Sequence, residues 1–154
     1  MDELTDRLEF ESMLFGRYSL ATRRGVQQLD RSAYTILSRL LAEGPMSIGQ
    51  LSEALGLDAS TLNRQTAAMM RAGHVERIPD PDGGIARKFR VTEQGAADLE
   101  NQRAQSIRAL DEILADWEPA DVAGLVDYLR RFNTSIEEYH GRPWPRPTAA
   151  MPRK

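Results

Sequence analysis

Apolar residues return along this chain at helical spacing, and the stretches that carry them are separated by residues that cap or break helices. Leu4, Leu8, Met13, Phe15 and Tyr18 recur so as to predict one long amphipathic helix from Glu3 to about Arg24, with Gly25 as its stop. Asp30 stands where an N-cap belongs, with Leu29 before it in staple position. Ala33, Ile36, Leu37, Leu40 and Leu41 then make a stripe that Gly44-Pro45 ends. Ser47-Ile48-Gly49-Gln50 has the form of a capping box and opens a short helix carrying Ile48, Leu51, Ala54 and Leu55, closed by Gly56. Asp58 caps a further helix to about Ala72, ended by Gly73, with Leu62, Met69 and Met70 expected to face inward.

The period then changes. Val75 to Pro79 and Arg87 to Val91 alternate weakly around D-P-D-G-G, which predicts two strands joined by a hairpin loop. Thr92 caps a long helix to about Trp117 with Ala96, Leu99, Ile107, Leu110 and Leu114 on its stripe. Pro119 suits the first position of a last helix, which runs to about Tyr139 with Val122, Leu125, Val126, Leu129, Phe132 and Ile136 on one face. From Gly141 to Lys154 there are four prolines and four basic residues, a composition that predicts disorder.

Two capped helices joined by a Gly-Leu-Asp turn and followed by a ribbon form a winged helix-turn-helix. The expected fold is mainly α with a small β-ribbon. A winged helix-turn-helix module over 29–95 is flanked by an N-terminal dimerisation helix (1–28) and C-terminal dimerisation helices (96–140), with a Pro-rich basic tail over 141–154. The outer helices cannot all bury their stripes on so small a module. Pairing of two chains hides them; a monomer with the helices folded back is the alternative.

Composition narrows the chemistry. The chain has no cysteine, which excludes disulfides and thiolate metal sites. No apolar run approaches the ~18 residues of a membrane span, and the acidic start lacks a signal-peptide pattern, so a cytoplasmic protein is expected. The formal net charge is −3, yet Asp58 to Arg90 holds six Lys or Arg against four acids, a mild local basic bias. No metal-binding, phosphate-binding or nucleophile motif is present, so neither catalysis nor a cofactor is expected. His74 and His140 read as structural or solvated, and the six methionines as packing residues.

Four segments carry a resemblance to the MarR family of bacterial transcription regulators: L-D-R-S-A-Y-T-I-L-S-R-L, S-I-G-Q-L-S-E-A-L-G-L-D-A-S-T-L-N-R, R-A-G-H-V-E-R-I-P-D-P-D-G-G and F-R-V-T-E-Q-G. In detail it covers Leu29 to Gly95. It implies a homodimer with intertwined terminal helices, double-stranded DNA with a palindromic operator as partner, repression, and release by a small aromatic or phenolic effector. A winged-helix protein–protein module without DNA binding is the other reading, favoured by the acidic balance.

Docking geometry directs attention to the N-terminal part of the second helix of the motif. Ser60, Thr61, Asn63, Arg64 and Gln65 surround it. Arg64 aligns with an arginine that often touches DNA in the family, and its fork suits guanine; Asn63 or Gln65 suits adenine. A solvated surface charge is the plain alternative for Arg64, and a buried position for Gln65. Ser47 is a phosphate contact or simply a cap. At the ribbon tip the family commonly has D-P-x-D-x-R. Here Asp80, Pro81, Asp82, Gly83, Gly84 and Ile85 stand instead, so the second acid and the arginine are missing. Arg87, Lys88 and Arg90 are the remaining candidates for the wing. By family analogy an effector site lies between the dimer helices and the module, with Arg17, Tyr18 and Tyr34 as candidates; each also suits an ordinary core edge.

Overall fold

A computed structural model of the chain describes residues 2–18 and 29–146. In chain order these form α1 (Asp2–Gly16), α2 (Arg31–Glu43), α3 (Ile48–Leu55), α4 (Ala59–Arg71), β1 (Val75–Ile78), β2 (Lys88–Val91), α5 (Glu93–Ile113) and α6 (Pro119–His140). The expected continuation of the first helix to Arg24 and its stop at Gly25 lie outside the described residues, as does the tail beyond Arg146.

Local side-chain chemistry starts the helices. The Asp30 carboxylate accepts from the Ala33 N–H at 2.7 Å. Ser47 and Gln50 form the reciprocal box: the Gln50 N–H donates to Ser47 Oγ at 3.2 Å and the Ser47 N–H to Gln50 Oε1 at 2.9 Å. The Thr92 hydroxyl accepts from the Gly95 N–H at 3.0 Å. Each such cap is worth about 1 kcal/mol. Asp58 holds the N-cap position of α4, but its side chain makes no capping bond. Helix α5 ends at Ile113, short of the expected Trp117, with Leu114 leaving helical backbone at φ −96° and ψ 7°.

The core lies between α2, α3, α4, the ribbon and the first turns of α5. Ile36, Leu37 and Leu40 of α2 meet Leu51 of α3, Leu62 and Met69 of α4, Val75 of β1, Phe89 of β2 and Leu99 of α5. Leu41, expected on the buried stripe, is exposed; the inward face of α2 takes Arg39 instead. Thr66 is also fully buried, which is tolerated because its hydroxyl donates to the Leu62 carbonyl at 2.7 Å.

The ribbon is a two-stranded antiparallel sheet in the register Val75↔Val91, Glu76↔Arg90, Arg77↔Phe89 and Ile78↔Lys88. Phe89 also bridges to Met46, between α2 and α3, through both of its backbone groups. The wing is thereby stitched to the helices. Gln102 of α5 performs a similar service for the start of α2: its side chain bonds both the N–H and the carbonyl of Leu29.

The outer helices keep their apolar faces bare within one chain. No residue of α1 or α6 is buried. Leu4, Leu8, Phe10, Met13 and Phe15 of α1 and Val126, Leu129, Phe132 and Ile136 of α6 are all exposed.

The structure differs from the sequence expectation at the head of the tail. Residues 141–146 are not free of the fold. Gly141 reverses the chain at φ 65°, and Arg39 then donates to the Pro143 carbonyl at 3.2 Å with its guanidinium 5.0 Å from the centre of the Trp144 ring. Glu137 accepts from the Trp144 N–H and from both terminal nitrogens of Arg146. Prolines lower the entropy lost on ordering this segment, and Trp144 supplies the apolar surface that the rest of the tail lacks.

Candidate nucleic-acid interface

Helix α4 presents two faces. Leu62, Thr66 and Met69 turn into the core, as the 3.6-residue period requires. Ser60, Asn63 and Arg64 turn outward, and among the described residues none of their side chains has a hydrogen-bond or ion-pair partner. Arg64 is an exposed, unpaired guanidinium one turn into the helix, where charge would be cheapest to redirect to a ligand. Thr61 is half-buried. Gln65 is turned inward, with its Oε1 buried and without a partner, so its amide is not presented on the outer face with Arg64. Gln65 as a whole is half-buried, between the two alternatives. Ser47 is occupied as a cap: its backbone N–H, the candidate phosphate donor, donates to Gln50 Oε1, and its hydroxyl oxygen accepts from the Gln50 N–H.

Three elements fix where α4 points. Its beginning follows the turn Gly56-Leu57-Asp58, with Gly56 left-handed at φ 66°. Its end is held by His74, whose Nε2 lies 3.0 Å from Asp98 Oδ2 of α5. Gln94 steadies the other carboxylate oxygen at 2.8 Å. Gly95 lets α5 approach this corner: a Cβ there would overlap the His74 backbone carbonyl. His74 is thus a structural tie between the end of α4 and α5.

The wing is organised by one carboxylate. Asp80 accepts from the Asp82 N–H at 2.9 Å, and Lys88 Nζ stands 3.3 Å from the same oxygen. Its other oxygen sits where a Cβ on Gly84 would be. Gly83 and Ile85 stand where the family has its second acid and arginine, and Asp82 and Gly84 beside them close the loop back on Asp80. The consequence for the candidate cations is plain. Lys88 is sequestered against Asp80, its side chain only 11% exposed, which corrects its expected reach toward a phosphate. Arg90 is paired with Glu76 across the ladder at 2.5–2.8 Å. Arg87 alone of the three is exposed without a partner among the described residues.

The Asp82 N–H, and then Lys88, hold the Asp80 carboxyl below its ordinary value. A depressed carboxylate contributes order above its unfolded pKa, and that order is lost as pH falls through the folded one. Wing-tip amides of Asp82 and Gly84 should therefore stay protected from neutral pH down through the ordinary carboxylate range and loosen only below it. Amide exchange followed by NMR checks this. Loosening that begins at neutral pH counts against Asp80 as the organiser.

The effector candidates are not brought together. Arg17 donates to the Tyr18 hydroxyl at 2.8 Å and lies over its ring, both exposed beyond the end of α1. Tyr34 is half-buried and lines a separate cavity of about 520 Å³ with Leu99, Arg103 and Trp144. The contribution of Trp144 was not foreseen, because the tail carried no expectation of order. Among the described residues no group of three His, Cys, Asp or Glu is placed to hold a metal ion, and no helix is long and apolar enough to cross a membrane.

A three-helix core, a short turn before a helix with an open outer face, and a two-stranded wing define a winged helix-turn-helix protein. Residues 27–84 match the model of the MarR family. The uncharacterized HTH-type transcriptional regulator YxaD of Bacillus subtilis (strain 168) is 29% identical over 132 residues, 84% of this chain and 92% of that protein. Among solved structures, a MarR family protein from Bacillus stearothermophilus is similar with a TM-score of 0.66 at 22% identity, covering 88% of this chain and 91% of that one. RV1404 from Mycobacterium tuberculosis is similar with a TM-score of 0.69 at 22% identity, covering 94% and 97%. The winged module thus matches the MarR family, and the fold of the chain is that of MarR proteins of solved structure.

Proposed function

We propose that the protein binds a palindromic DNA operator as a homodimer and represses transcription until a small aromatic or phenolic effector releases it. The observation that carries the DNA-binding part is the outer face of α4, where Ser60, Asn63 and Arg64 are exposed and unpaired while the opposite face is locked into the core. A helix held this firmly, with its polar groups uncommitted, is suited to a major groove. Arg87 supplies the wing's reach to the backbone. The bare stripes on α1 and α6 support the homodimer: apolar faces of that length are normally covered, and a second copy carries the complementary ones. The cavity beside Tyr34, with Arg103 near aromatic walls, has the chemistry to hold an aromatic acid.

A titration of the protein against its own upstream DNA at two salt concentrations, with and without aromatic acids, tests the reading. Several phosphate contacts should make affinity fall by about 10³ or more between 50 and 200 mM salt. Weak binding that ignores salt would instead favour the protein–protein module, which the ion-paired Lys88 and Arg90 make the second reading.

A further inference from the structure

We propose that Arg142 is a DNA-backbone contact supplied from outside the winged module and held over the helix-turn-helix turn by the segment that follows α6. The inference rests on the DNA-binding reading above and extends it to a residue of the C-terminal segment.

The backbone on both sides of Arg142 is fastened. Its own N–H donates to the Glu137 carbonyl at 2.9 Å, continuing the reversal at Gly141. The next residue, Pro143, gives its carbonyl to Arg39, and Trp144 lies under the Arg39 guanidinium. Arg39 is itself buried and anchored to Glu43 at 2.8 Å. Glu137 closes the strap on Arg146 and the Trp144 N–H, and these same partners hold its carboxyl below the ordinary value, so the clasp stays charged at neutral pH.

The side chain of Arg142 lies on the turn before the recognition helix. A Cβ added to Gly56 would lie 2.5 Å from Arg142 Cζ and Nη1. The guanidinium therefore rests directly on that turn, close to the start of α4. It is exposed and has no ion-pair partner among the described residues. The adjoining cleft, about 530 Å³, runs from Arg142 past Gln50 and Glu53 of α3 to Pro81 and Asp82 of the wing loop. Glu53 shares the cleft without pairing with Arg142.

In a helix-turn-helix the first helix crosses the DNA backbone while the second enters the groove. A cation on the turn between them stands beside that backbone. The fork of an arginine suits a phosphate, and a strap already ordered loses little entropy in delivering it. A side chain at position 56 would push the guanidinium aside and would itself meet a left-handed backbone at φ 66°.

The test uses the full chain and its own upstream DNA across a salt series, with thermal unfolding measured in parallel. Arg142→Ala should make the dependence of log affinity on log salt shallower by about one unit per protomer. Sequence preference and the unfolding midpoint should not change. Arg142→Gln keeps a stem against Gly56 but removes the charge, and should lose the same slope; Arg142→Lys should keep it. An unchanged slope for Arg142→Ala beside a wild type that binds overturns the assignment and leaves Arg142 as a packing residue. A wild type with no salt-dependent binding overturns the DNA-binding reading itself, and the assignment falls with it.

Discussion

Truncating Phe89 to Ala should cost about 3–5 kcal/mol, a large share of the stability of a domain this size. Phe89 is 1% exposed and sits at the meeting of three structures. Its ring fills the core beneath α2. Its backbone binds Met46 through the Phe89 N–H at 2.8 Å and the Met46 N–H at 3.2 Å. On the ribbon it stands opposite Arg77, whose guanidinium lies 5.5 Å from the ring centre. The backbone bonds keep the strand in place after truncation, so the cavity cannot collapse and the penalty falls at the upper end. Arg77→Ala removes only an exposed cation over the same ring and should cost about 0.5–1 kcal/mol. Urea unfolding of the three proteins checks this: the midpoint should fall far more for Phe89→Ala, with the slope unchanged. Equal losses for the two variants would mean that the ring is not what joins wing to core.

What could be read in the sequence was what is decided within a few residues. Asp30, Ser47 with Gln50, and Thr92 bond N–H groups three residues away, so their spacing alone placed three helix starts. Gly44, Gly56 and Gly73 all carry the positive φ that marks a helix end. The buried face of α4 was equally legible at Leu62 and Met69, though not at Thr66, whose hydroxyl is satisfied by a carbonyl of its own helix and so breaks the pattern without penalty. The candidate site was legible where it depends on helical phase, at Ser60, Asn63 and Arg64. It was illegible where a loop decides it. Lys88 looked available because nothing local shows that the wing loop folds Asp80 back upon it. The strap was hidden for a different reason: Arg39 and Pro143 lie 104 residues apart, and composition alone argues for disorder. One signal was present, a tryptophan in a tail otherwise too polar to pack. The stripes on α1 and α6 were read correctly as apolar, but what covers them belongs to no residue of the same chain described here.

Arg64→Ala should abolish base preference at one operator position in each half-site while leaving the fold intact. An arginine that meets guanine with both arms contributes about 1–3 kcal/mol of discrimination, roughly 5- to 150-fold in relative affinity. Its exposure and lack of a partner mean that removing it leaves no buried group unsatisfied, so the unfolding midpoint should move by less than about 0.5 kcal/mol equivalent. Arg64→Lys separates charge from shape. A lysine keeps the positive charge, and with it the salt dependence, but presents a point donor in place of a planar fork. It should therefore bind DNA nearly as tightly overall and still lose the preference. Selection from a pool of randomised operators, carried out with the wild type and both variants, reads this directly. If both variants select the same sequence as the wild type, α4 does not read bases through Arg64, and the open face of Ser60 and Asn63 would have to carry recognition by itself. Arg71 provides the contrast. It is exposed near the far end of the same helix, away from the end proposed to meet base edges. Its loss should weaken binding to every sequence alike, as expected of a cation that meets only phosphate.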